Sequence, residues 1–108
     1  MIHEENQIQR NIVKYLRTVN IFVFSCPNGI NVKNASTRNI LQLSGLTSGV
    51  SDLIILHKGI TYFCEVKTPK GKQLPTQKEF EQEVTKQGFE YIIFRSIDDA
   101  INFVGRIK

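Results

Sequence analysis

The stretch GVSDLIILHKGITYFCEVK, residues 49–67, constrains the fold more than any other part of this chain. Two apolar runs, 52–57 and 60–67, flank Lys58-Gly59. A two-residue loop at that point makes them an antiparallel hairpin in which His57 faces Ile60 and the pairs proceed outward one by one. Asp52 then falls directly opposite Glu65, with Cβ atoms about 5 Å apart. Strand alternation puts Lys67 on the same face, about 7 Å beyond Glu65, while Val66 points away and keeps its backbone carbonyl near the acidic pair. The register depends on the turn. A three-residue loop shifts it by one and sends the two carboxylates to opposite faces.

Two carboxylates held about 5 Å apart repel by about 3 kcal/mol at an effective dielectric constant of about 20, so a fold gains nothing from the pair by itself. A divalent cation reverses that sign. Hard oxygen ligands, few enough to leave positions for water and phosphate, suit Mg²⁺ or Mn²⁺ better than Zn²⁺. A lysine beside such a site can orient or deprotonate an attacking water and offset charge on a pentacoordinate phosphate. The arrangement is suited to phosphodiester hydrolysis. The competing account is structural: Asp52 ends its strand, Glu65 and Lys67 pair with each other, and all three are solvated at a sheet edge. A D…ExK string alone does not separate the two, because short patterns recur by chance.

The remaining segments surround the hairpin with helices. Ile8, Ile12, Leu16 and Val19 recur at helical spacing, which predicts an amphipathic helix over 4–18 with Glu5 on the same stripe. IFVFSC, 21–26, reads as a strand stopped by Pro27-Asn28-Gly29, and NVKNASTRN as a polar loop. A short helix is expected over 37–44. Thr76 and Glu79 stand at capping-box spacing, with Pro75 and Phe80 at the staple positions, and predict a helix over 77–87 stopped by Gly88. FEYIIF, 89–94, is a further strand. Ser96 and Asp99 cap a last helix that turns Ala100, Ile101, Val104 and Ile107 inward. The expected architecture is one domain over 1–108: an α/β, restriction-endonuclease-like mixed sheet flanked by helices, in the order α-β-(α)-β-β-α-β-α.

Composition removes whole classes. With 108 residues there is room for one core and none for a separate recognition domain. Hydrophobic and charged shares of 41% and 22% exclude disordered and collagen-like chains. A net charge of +4 permits an anionic partner without requiring one. No apolar run approaches the roughly 20 residues that span a bilayer, and the polar start MIHEENQIQR is not a signal peptide, so no membrane partner and a cytoplasmic location are expected. Cys26 and Cys64 lack any CxxC or Cys/His ligand spacing and read as buried free thiols. Gly71-Lys72 lacks the earlier glycine and the Ser/Thr of a P-loop.

Taken together, Glu5…Gln9 on the first helix, Gly49-Val50-Ser51-Asp52, Glu65-Val66-Lys67, Thr68-Pro69-Lys70-Gly71 and Gln77 resemble the VRR-NUC domain of the PD-(D/E)xK nuclease superfamily over nearly the whole chain. One position departs: Ser51 stands where the family commonly has proline. The resemblance implies a metal-dependent nuclease acting on DNA. It matches Asp52, Glu65 and the Val66 carbonyl to metal-binding positions, Lys67 to the catalytic lysine, and Glu5 and Gln77 to supporting acidic and amide positions. Read from residues alone, Glu5 serves either the positive end of its helix or the metal site. Gln77 serves either a structural hydrogen bond or substrate positioning. Lys70, Lys72 and Lys78, with Lys33 and Arg38 behind them, either contact phosphates or are solvated charges. His57 lies at the turn, remote from the acids, and reads as a turn histidine.

The expected function is a Mg²⁺- or Mn²⁺-dependent endonuclease selective for branched or flapped DNA, since shape and phosphate contacts need less apparatus than base reading. A symmetric homodimer would supply two scissions from one small chain. The rivals are a Holliday-junction-resolving nuclease, a restriction-type enzyme cutting plain duplex, and a DNA-binding module with a vestigial site. A helicase or repair and recombination partner is conceivable, and nothing in the residues names one.

Overall fold

In the computed structural model the described residues are 2–26, 35–45 and 47–108. The elements run α1 (Ile2–Thr18), β1 (Phe22–Ser25), α2 (Ala35–Leu43), β2 (Leu53–His57), β3 (Ile60–Val66), α3 (Pro75–Lys86), β4 (Glu90–Phe94) and α4 (Ile97–Ile107). The four strands form one sheet in the order β1-β2-β3-β4. β1, β2 and β3 pair antiparallel, whereas β4 lies parallel to β3. A parallel neighbour needs a crossover, and α3 provides it.

The hairpin has the register expected from its turn, with His57↔Ile60 next to the loop and Leu53↔Cys64 at the far end. Lys58 and Gly59 both take positive φ, 52° and 80°, as a type I′ turn requires. Alternation divides the side chains between two faces. On one face Leu53, Ile55, Tyr62, Cys64, Val66 and Phe94 meet Ile12 and Leu16 of α1 and Ala100, Phe103 and Val104 of α4 to form the buried core. On the other face the rings of Phe63, Phe80, Phe89 and Tyr91 pack edge to face or tilted at centroid distances of 5.6–6.4 Å, which fixes α3 over β3 and β4. This second face carries the hairpin's charged residues. Over β1 and β2 it is uncovered by α3, and Phe22, Phe24 and Leu56 there are exposed.

The helix boundaries follow local chemistry with one difference. Ser96 Oγ accepts from the Asp99 N–H, and Asp99 Oδ2 accepts from the Arg95 N–H, closing the start of α4. At α3 the expected Thr76–Glu79 box does not form. The N-cap is Leu74, Pro75 occupies the first turn, and Gln77 Oε1 accepts from the Leu74 N–H at 2.7 Å. Proline has no N–H to lose there and its fixed φ begins the helix earlier than the Thr/Glu spacing implies. The expected Pro75–Phe80 staple is superseded with it. Gly88, at φ 94°, stops α3 as expected.

Candidate active site

Asp52 stands one residue before β2, in line with the register that sets it against Glu65. Its Oδ2 accepts from the Val66 N–H at 2.7 Å, and its own carbonyl accepts from the Cys26 N–H at 2.9 Å. The side chain is thereby tied across the hairpin while the backbone is tied to the end of β1. Glu65, on β3, is 1% exposed. Its Oε1 accepts from the Tyr91 hydroxyl of β4. Its Oε2 accepts no hydrogen bond although it is buried, and faces Lys67 Nζ at 3.5 Å. Lys67, 7% exposed, follows the last residue of β3, and its N–H donates to the Phe94 carbonyl, extending the ladder by one bond.

A buried carboxylate oxygen without a donor is costly. The electrostatics express that cost. Burial raises the carboxyl of Glu65 above its usual range, with Lys67 opposing and Asp52 reinforcing the shift. Burial likewise raises Asp52, against the Val66 N–H and Lys67. Glu5, half-buried on the first turn of α1, is also raised by burial, and it feels both Lys67 and Asp52. Three acids and one lysine from three stretches of chain thus share one field. The Glu65 Oε2 atom fits a cation: a divalent ion would fill the unused acceptor and relieve the Asp52–Glu65 repulsion. Among the described residues no three His, Cys, Asp or Glu side chains gather closely enough to hold a metal by themselves. A cation there would take further ligands from backbone carbonyl, water or phosphate oxygens.

The other residues named from sequence are spread more widely. Gln77 spends its amide oxygen on the start of α3. Lys70, Lys72 and Lys78 are exposed around the 68–78 segment that follows Lys67. Lys33 lies outside the described residues; Arg38 is on α2. His57 is at the hairpin turn, away from the acids. Both cysteines are free thiols; Cys64 is buried, whereas Cys26 is partly exposed.

Three residues at the site escape sequence reasoning. Tyr91 reaches Glu65 through the parallel β3/β4 pairing, where Phe63↔Tyr91 and Glu65↔Ile93 are partners. A polar-tipped residue alternating with Ile93 on a strand is the one hint available beforehand. The Gln73 amide favours the ionised form of Glu65, while its Nε2 donates to Glu81 Oε1 at 2.9 Å. Arg95 Nη1 donates to the carbonyls of Thr68 at 2.9 Å and Gly71 at 2.6 Å, so one guanidinium closes the loop behind Lys67. No local pattern announces it.

The fold is a mixed sheet flanked by helices that carries an acid pair and a lysine where β3 ends. Residues 3–98 match the VRR-NUC domain family, and the chain belongs to it. Two solved structures share the fold. One, described as a VRR_NUC domain protein, superposes with a TM-score of 0.75 at 18% identity, covering 95% of this chain and 86% of its own. The other, a VRR_NUC domain, gives 0.71 at 19% identity, covering 96% and 97% respectively. A search of curated proteins returns no significant match.

Proposed function

We propose that this protein is a Mg²⁺- or Mn²⁺-dependent endonuclease that hydrolyses DNA phosphodiester bonds, acts on branched or flapped DNA, and works as a homodimer built from single 1–108 nuclease units. The observation that carries the reading is the buried Glu65 Oε2, which lacks a donor and stands beside Lys67 and opposite Asp52. A purely structural Glu65–Lys67 pair would satisfy that oxygen by hydrogen bonding instead of leaving it at 3.5 Å.

In this reading Asp52, Glu65 and the Val66 carbonyl hold the cation. The bound ion supplies Lewis acidity toward the scissile phosphate and lowers the pKa of water. Lys67 orients the attacking water by donating to it, and its charge favours the pentacoordinate phosphate over the ground state. Tyr91 holds the Glu65 carboxylate in position by donating to Oε1, while Gln73 adds to the field that favours its ionised form. The Val66 N–H ties Oδ2 of Asp52, so Oδ1 is the carboxylate oxygen outside that bond that would be offered to a cation. Glu5 supports the site through water, and Gln77 keeps the α3 start in place beside it. For the dimer, the support is the exposed row Phe22, Phe24 and Leu56 on the part of the sheet that α3 leaves open. Among the described residues no helix is long and apolar enough to cross a membrane.

The test is cleavage of labelled duplex, flap and four-way junction DNA with Mg²⁺ or Mn²⁺, beside Asp52→Ala and Lys67→Ala proteins shown to be folded. Metal-dependent product, absent from both variants and greatest on flap or junction, is expected. Equal cutting of all three substrates removes the structural selectivity. No product under either metal, with DNA binding intact, removes the enzyme and leaves a binding module. Sedimentation at micromolar concentration tests the dimer: a monomer with full activity refutes it.

A further inference from the structure

On the sheet edge away from β4, a groove of about 1020 Å³ runs between the outer side of α1 and β1. Its described lining contains three cations, Arg10, Lys14 and Arg17, and no carboxylate. None of the three cations forms an ion pair with another described residue; the side-chain ion pairs there join Lys67 to Glu65 and Arg106 to Glu90. Their spacing places them along one side of the helix, and the stripe extends over about 10 Å at 1.5 Å per residue. At about 3.4 Å per nucleotide of one strand, that length matches about three successive phosphates. Asn6, Gln7 and Gln9 add amides that can donate to phosphate or sugar oxygens.

Both walls of the groove continue along the chain into residues that adjoin the acidic site. On one wall, Asn6 follows Glu5, which lies in the field of Lys67 and Asp52. On the other, β1 closes with Ser25, and the next residue, Cys26, donates its N–H to the Asp52 carbonyl at 2.9 Å. We infer that this groove binds the phosphate backbone of one DNA strand and leads it to Asp52, Glu65 and Lys67, so that the main electrostatic grip lies on α1. The inference rests on the nuclease reading for its direction of travel. It moves the principal DNA contact away from Lys70, Lys72 and Lys78, the cations nearest Lys67 in sequence.

Binding of a fluorescein-labelled single-stranded oligonucleotide, followed by anisotropy across a salt series in Mg²⁺ with every protein in the Lys67→Ala background, tests it. The Arg10→Gln/Lys14→Gln/Arg17→Gln variant is expected to lose about tenfold or more in affinity and about 2 from the slope of log K against log salt. The Lys70→Gln/Lys72→Gln/Lys78→Gln variant should change both by less. Should the first triple variant fail to fold, Lys14→Glu, a single exposed change, must still lower affinity and slope. Unchanged affinity and slope in the groove variants overturn the inference, as does a change of oligomeric mass without loss of slope, which would assign the groove to a protein contact. Separately, a wild-type protein that binds through the groove but cuts nothing defeats the nuclease reading and leaves the groove standing.

Discussion

Replacing Gly49 by alanine tests how the turn before Asp52 is seated against α3. Gly49 has φ +78°, and a Cβ added there would lie 2.1 Å from the Thr76 carbonyl oxygen and 2.4 Å from its carbon. Both are backbone atoms of the first turn of α3 and cannot swing aside. The positive φ alone costs alanine about 1–2 kcal/mol. Forcing apart a packed contact adds about 1–3 kcal/mol, for a total of about 2–5 kcal/mol. Gly59 provides the control. It has φ +80° but nothing within 4 Å of the added Cβ, so Gly59→Ala should show the backbone cost alone. Urea unfolding followed by circular dichroism reads both. A stability near the common range of 5–15 kcal/mol would survive the change, with the Gly49→Ala midpoint lowered by roughly 1–3 M. Because α3 begins just after Gln73, moving its first turn also disturbs the support of Glu65. Cleavage should fall in Gly49→Ala and stay near wild type in Gly59→Ala. If the two variants unfold at the same urea concentration, the close approach to Thr76 carries no weight and the reasoning fails.

Arg95→Lys should loosen the loop behind Lys67, because an ammonium cannot span the Thr68 and Gly71 carbonyls as the guanidinium does; the expected loss is about 1–3 kcal/mol. Trypsin should then nick after Lys70 or Lys72 faster than in wild type, and equal nicking rates would remove Arg95 from this role. The acidic site also makes stability depend on pH and metal together. Asp52 and Glu65 have folded-state pKa values raised above 3.8 and 4.5, so their contribution is fully present below those values and is lost as pH rises through the raised ones. Metal-free wild type should therefore fall progressively behind Asp52→Asn/Glu65→Gln as pH increases, in thermal melts. A divalent cation favours the ionised pair, so Mg²⁺ or Mn²⁺ should raise the wild-type midpoint more at about pH 7.5 than at about pH 5, and should not raise that of the double variant. An increment independent of pH would mean that the ion binds elsewhere.

The central hairpin could be read from residues because its determinants are local. Lys58-Gly59 sets a two-residue turn, the turn sets the register, and the period of two then places Asp52, Glu65 and Lys67 on one face. The helical stripe of α1 and the Ser96–Asp99 start of α4 are local in the same sense, and both formed where their spacing placed them. The start of α3 was decided by a competition between two neighbouring caps, in which Pro75 and Gln77 prevailed over Thr76 and Glu79. What only the tertiary structure decided is the company these residues keep. Tyr91 meets Glu65 through a parallel pairing whose register no turn specifies, since a crossover helix separates the strands and packing aligns them. Arg95 finds the Thr68–Gly71 carbonyls, and the three cations of α1 find β1, across gaps in sequence that no periodicity spans. A local rule fixes which face a side chain occupies; only the packing of distant segments fixes what stands opposite it.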